Sequence, residues 1–201
     1  MYLYPFQSNV ATFVAEKFCE YQTDPLLVKK EAIVPFFQNI SAITGAGKTI
    51  ILADIITQMR LHLSAEPIAL WISKGRVVVE QTYLNLSAWK YSQFIPNFNV
   101  LPLLDCKQTH IEDLSQAFLL VATAGKFNQK DMDKGDRMIY KQCLDNADIS
   151  LWNLIKTRKL SNGIKRPLFI IYDEGHNLSD QQTELLLKLN PDAIISASVY
   201  K

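Results

Sequence analysis

Short apolar runs recur along the chain at Val34–Ala42, Ile68–Ser73, Asn99–Leu104, Phe118–Thr123, Leu168–Asp173 and Ala193–Ser198. Most are continuous rather than alternating apolar with polar, which is the pattern of strands buried on both faces. Amphipathic stretches lie between them. Gln7–Tyr21 carries Val10, Phe13, Val14 and Phe18 at spacings of three and four. Lys48–Leu63 is apolar at Ile51, Ile55, Ile56 and Met59, and Arg76–Trp89 and Ser179–Leu189 are similar, the first less regular. Alternating strands and helices predict an α/β fold with a mostly parallel sheet and helices on both faces. Ligands of such sheets sit beyond the carboxyl ends of the strands, so chemistry is sought there.

One stretch, 127–166, breaks the rhythm. Lys126, Lys130, Asp131, Asp133, Lys134 and Asp136 crowd around its start; a helix is predicted over Arg137–Lys159, then a turn at Ser161-Asn162-Gly163. It reads as an insertion on one edge of the sheet, its charges a solvated face.

The 201 residues fit one domain with a sizeable core. Hydrophobic residues make up 48% and charged residues 20%, the balance of a soluble globular chain. No apolar run approaches the ~18 residues that span a bilayer, and the N-terminus has no basic stretch followed by an apolar one. A cytoplasmic location without a membrane partner is expected. Cys19, Cys106 and Cys143 are widely spaced and odd in number, which argues for reduced thiols rather than a disulfide framework or zinc site. Net charge is +1. Any nucleic-acid contact would therefore have to come from local groups rather than a basic tail.

The first strand runs into Ala42-Ile43-Thr44-Gly45-Ala46-Gly47-Lys48-Thr49, and a helix follows. Gly45 and Gly47 let the backbone curl so that successive N–H groups point inward. With the positive end of the helix they attract phosphate oxygens. Lys48 can reach β- and γ-phosphates, and the Thr49 hydroxyl can ligate Mg²⁺. The competing reading is a glycine turn with a chance Lys-Thr. The apolar strand Leu168–Tyr172 ends in Asp173-Glu174-Gly175-His176. Asp173 is placed to hold Mg²⁺, and Glu174 to act as general base for the water attacking the γ-phosphate. On its own this is also how an ordinary loop begins.

Together these residues resemble superfamily 2 helicases of the DEAD/DEAH type. Motif I of that superfamily reads A-x-x-G-x-G-K-T, matched at Ala42, Gly45, Gly47, Lys48 and Thr49; motif II reads D-E-x-H, matched at Asp173, Glu174 and His176. The D-E-G-H form, Ser73-Lys74-Gly75-Arg76 and an early Gln7 look closest to the Res subunit of type III restriction enzymes. The resemblance covers Gln7 to Ser198. It implies an N-terminal RecA-like P-loop NTPase domain over residues 1–201, using ATP and Mg²⁺, with Gln7, Thr44, Gly45, Ala46, Gly47, Lys48 and Thr49 at the nucleotide. Gln7 would read adenine; starting the first helix is its alternative role. His176 and the Ser196-Ala197-Ser198 triplet, similar to motif III, would couple the nucleotide to the nucleic acid. Lys74, Gly75 and Arg76 resemble motif Ia, with Ser73-Lys74 in place of Pro-Thr. Thr123, Gly125 and Lys126 resemble motif Ib, commonly T-P-G-R. Both would grip the nucleic-acid backbone, and each also fits an ordinary polar loop.

The resemblance further implies a second RecA-like domain carrying an arginine finger, for which these residues have no counterpart, so the chain is expected to be part of a longer protein. The function expected is an ATP-driven helicase or translocase acting on DNA in preference to RNA, in restriction or repair, with a methyltransferase or specificity subunit as partner. The alternative is a P-loop module that senses ATP without hydrolysing it.

Overall fold

A computed structural model describes residues 2–28, 32–88, 90–128, 139–140, 149–158, 163–174 and 179–199. Helix α1 (Pro5–Thr23) opens the chain; Pro5 at its first position brings a pre-set φ and lacks only an N–H that would have no partner there. A small antiparallel pair, β1 (Leu27–Val28) and β2 (Ala32–Ile33), follows. Next come β3 (Phe36–Ala42), α2 (Lys48–Arg60), β4 (Ile68–Ser73), α3 (Arg76–Ser87), β5 (Phe98–Pro102), a short α4 (Gln108–Glu112) and β6 (Ala117–Thr123). Then α5 (Leu151–Thr157), β7 (Leu168–Asp173), α6 (Asp180–Leu187) and β8 (Ala193–Val199) complete the fold.

All six expected strands are present. They form one parallel sheet in the order β3-β8-β7-β4-β6-β5. The continuous apolar runs have the cause anticipated for them. Alternate side chains feed two cores, one on each face. Ala69, Trp71, Leu119, Val121, Phe169, Ile171 and Ile195 pack with Phe18 of α1 and with Ile51, Ile55 and Met59 of α2. Leu70, Ile72, Phe118, Leu120, Ile170 and Tyr172 pack with Trp152 and Ile155 of α5 and Leu185 and Leu186 of α6. Each fully buried side chain of this size contributes roughly 1.5–3 kcal/mol by leaving water.

The region 127–166 departs from expectation. The helix predicted over Arg137–Lys159 is not continuous: Ser150 is extended at ψ 151°, and its hydroxyl accepts from the Asn153 N–H, so a new helix starts at Leu151. Nor is the described part purely a solvated face. Phe127, Ile139, Trp152 and Ile155 are buried in the second core. Most of the charge cluster, 129–138, lies outside the described residues, as do Ser161 and Asn162.

Two buried arginines tie this region to the sheet. The Arg158 guanidinium donates to the carbonyls of Arg166, Ile155, Leu189 and Asn190 at 2.7–2.9 Å. Arg166 donates to the carbonyls of Glu66 (2.7 Å), His110 (3.0 Å), Ile111 (2.9 Å) and Gln116. Burial pulls both guanidinium pKa values down to about 10, so both stay charged at neutral pH. Arg166→Met is expected to lower stability by about 3 kcal/mol, because it strands buried carbonyls. Arg166→Lys should recover little of this, since one ammonium cannot replace the fork. Urea midpoints for the two variants test both statements.

Candidate functional site

β3 ends at Ala42, and the chain curls back on itself before α2. The Ala46 N–H donates to the Ile43 carbonyl at 3.2 Å. Gly45 and Gly47 sit at φ +85° and +80°, a region costly for any residue with a Cβ. Gly47 caps α2, and its carbonyl takes the N–H groups of Ile50 and Ile51. The Lys48 ammonium lies over the mouth of the loop, 3.4 Å from the Ala42 carbonyl and 3.3 Å from that of Ile43. Thr44 and Gly45 are exposed at the tip.

Gln7 fastens this loop to α1. Its amide nitrogen donates to the Ala46 carbonyl at 2.9 Å, and its amide oxygen accepts from the Tyr4 N–H at 2.9 Å. It is buried, and a Cβ placed on Gly47 would meet its nitrogen at 2.5 Å. Gln7 thus supports the loop and the start of α1 together.

β7 delivers Asp173 to the same place. In the sheet β8 separates β3 from β7, yet Asp173 accepts a hydrogen bond from the Thr49 side chain and lies within Coulombic reach of Lys48. The carboxyl is buried, and that burial, with the neighbouring Glu174 charge, pushes its pKa above the usual carboxylate value; Lys48 and Thr49 pull the other way. Glu174 is exposed and has φ +68°, one of two non-glycine residues in the left-handed region among those described. Such a conformation in a residue with a Cβ costs of order 1–3 kcal/mol and persists where surroundings impose it. Gly175 and His176 lie outside the described residues.

The motif Ia and Ib segments meet at the same sheet end. Ser73 of β4 pairs in register with Thr123 of β6. Lys74 and Arg76 are exposed there, and Arg76 pairs with Glu80 at 2.8 Å across one helical turn. Residues 124–126 form a single 3₁₀ turn, carrying exposed Gly125 and half-buried Lys126. The Ala124 carbonyl accepts from the Gln182 amide of α6 at 3.1 Å, which fixes that turn to the helix following Glu174.

The motif III hydroxyls are on the other face of the sheet from Asp173. Ala197, not a serine, is the register partner of Asp173. Ser196 donates to the Asn39 side-chain oxygen at 2.7 Å, and the Asn39 amide donates to Ser198 at 3.4 Å. Asn39 and Gln182 were not anticipated from the sequence. A polar residue inside the apolar run Phe36–Ala42 was the only signal for Asn39, and Gln182 gave none.

The donor set has a clear preference. No trio of His, Cys, Asp or Glu able to hold a metal occurs among the described residues. Thr49 and Asp173 supply one hydroxyl and one carboxylate oxygen beside the glycine-bearing loop. Mg²⁺ takes this kind of site, one or two protein oxygens completed by phosphate and water.

Fold and loop together define a P-loop nucleotide-binding domain of RecA-like type. The family model of the type III restriction enzyme, res subunit, matches residues 8–197, and the chain belongs to that family, a RecA-like domain of helicase superfamily 2. Membership makes it an ATP-dependent motor domain of the helicase kind. No curated protein matches the chain. Among the described residues no helix is long and apolar enough to cross a membrane.

Gly47→Ala is expected to destabilise the protein by about 1–2 kcal/mol from its φ alone, plus the cost of displacing Gln7. The double variant Gly47→Ala/Gln7→Ala should cost less than the two single changes summed, because the clash disappears; denaturant melts of the cycle measure this. Asp173 gives a pH test. Its raised native pKa means that the native state holds this proton more tightly than the unfolded chain. The stability it contributes is therefore full below the unfolded value and lost as pH rises through the native one. Asp173→Asn, neutral throughout, is expected to be more stable than wild type at pH 7. The advantage should vanish below the ordinary carboxylate range, and an advantage that persists there would contradict the assignment.

Proposed function

We propose that the chain is the ATP-hydrolysing half of a motor that moves along or unwinds DNA, in restriction or repair. The observation that carries this reading is the meeting of Thr49 and Lys48, from the loop, with Asp173, from a strand two places away in the sheet.

The loop from Thr44 to Lys48 binds the phosphates through its backbone N–H groups and the Lys48 ammonium. Thr49 and Asp173 are the residues that would hold Mg²⁺, which when bound neutralises charge on the β- and γ-phosphate oxygens. Glu174 accepts the proton of the attacking water, and its exposure beside the buried Asp173 suits a base that must reach solvent. Gln7 holds the loop from behind. Lys74, Gly75, Arg76, Thr123, Gly125 and Lys126 line one end of the sheet and take the nucleic-acid backbone. Ser196 and Ser198, with His176, relay the state of the nucleotide. A second RecA-like domain supplies an arginine finger, worth ~10³–10⁵ in rate in comparable hydrolases. A methyltransferase or specificity subunit is the partner, in the cytoplasm.

Glu174→Gln in the full-length protein is expected to lower ATP turnover by about 10²–10⁴-fold while leaving nucleotide binding in place. Turnover is to be measured with duplex DNA, single-stranded DNA and RNA in turn. Stimulation by DNA above RNA is expected. A variant as competent as wild type in every assay would turn the assignment toward an ATP sensor.

A further inference from the structure

β4 ends at Ser73, directly between the ends of β6 and β7. Ser73 pairs with Thr123 on one side. On the other, Ile72 pairs with Tyr172, so Ser73 stands one step further in the same register, beside Asp173. Both side chains take the face of the sheet shared by Trp71 and Ile171, because partners in a parallel ladder point the same way and alternate along each strand. This is the face covered by α2, which starts with Lys48 and Thr49. The Ser73 residue is 1% exposed, and its hydroxyl has no hydrogen-bond partner. Among the described side chains only a few buried polar atoms share that condition. A buried hydroxyl without a partner costs about 1–3 kcal/mol. Its position explains what it is kept for. A carboxylate has two oxygens and about four acceptor sites, and Thr49 uses one of those on Asp173.

We propose that Ser73 is a positioning residue for the metal-side carboxylate: its hydroxyl is a second donor to Asp173, engaged when magnesium and nucleotide fix that carboxylate in place. The proposal rests on the reading of Asp173 as the residue that holds Mg²⁺. Thr49 then steers the carboxylate from the loop side and Ser73 from the sheet side. Partners that orient a metal-binding side chain in this way change metal affinity by about 10–100-fold when removed.

Ser73→Ala and Ser73→Cys test this on the intact chain, by thermal melting alone and with magnesium plus a non-hydrolysable ATP analogue. Without them, Ser73→Ala should melt at or above the wild-type temperature, because an unpartnered buried hydroxyl has been removed. With them, its stabilisation should be smaller, and half-saturation should need at least about tenfold more magnesium. Ser73→Cys keeps the volume but is a weak donor, so it should behave like Ser73→Ala. If Ser73→Cys instead matches wild type while Ser73→Ala does not, volume is the cause and the proposal fails. It fails equally if both variants keep the wild-type magnesium response. Asp173→Ala separates the two layers of the argument. If it too keeps the wild-type response, or if wild type gives none, the reading of Asp173 itself is wrong. If it loses the response while Ser73→Ala retains it, only the role of Ser73 is wrong.

Discussion

A buried carboxylate has to be brought up against an ammonium and a hydroxyl from a distant part of the chain. The contact between Asp173 and the Lys48–Thr49 step depends on the order of the strands more than on any local sequence. With β8 between β3 and β7, the loop leaving β3 must cross the end of β8 to reach the carboxylate. The small residues at that crossing permit it: Ala197 is the register partner of Asp173 on one side and of Ile40 on the other. A larger side chain there would occupy the space through which α2 approaches. The alternation of β8 thus does two jobs. Ala193, Ile195 and Ala197 make room and core on the phosphate-loop face. Ser196 and Ser198 stay on the opposite face, bonded to Asn39.

That division gives a physical route between the faces. Asn39 lies on the strand that becomes the phosphate loop, and the serines it contacts lie on the strand that neighbours β7. A shift of β3 against β8 alters both the loop's origin and the hydroxyl contacts, with no need for a side chain to pass through the sheet. The second connection is Gln182, which fixes the Ala124 turn to the helix following Glu174. This side-chain amide joins α6 directly to the turn that begins at Ala124.

The strands were legible because burial on both faces leaves a strong signature, and all six appear within about two residues of their expected ends. The turn before α2 and the carboxylate at the end of β7 were legible because two closely spaced glycines and an acid closing an apolar strand stand out from the runs around them. Other features left no such trace. The break at Ser150 depends on one hydroxyl accepting from Asn153, which a helix-compatible pattern of apolar residues overrode. The burial within 127–166 was hidden in a related way: the charges around 129–136 dominate its composition, while a handful of apolar residues, Phe127, Ile139, Trp152 and Ile155, pack the described part into the second core. Arg158 and Arg166 read as surface charges and are instead buried among carbonyls, since a guanidinium fork matches loop backbone as well as it matches acids. The left-handed backbone at Glu174 and the unpartnered hydroxyl of Ser73 are three-dimensional facts with no one-dimensional counterpart.

These last two features bear on one question, why unfavourable local choices accumulate at the end of β7 and β4. Glu174 holds a conformation better suited to glycine, Asp173 puts its carboxyl in a desolvated place, and Ser73 buries a hydroxyl without a partner. Each alone lowers the stability of the folded chain. Elsewhere in the same sheet, Leu119, Phe169, Ile170 and Ile195 fill equivalent depth with no such cost. Three such choices gathered at adjacent strand ends beside the phosphate loop are what is expected when polar groups are oriented in advance for charge that the protein does not itself carry. A fold optimised for stability alone would place alanine or valine at 73 and asparagine at 173.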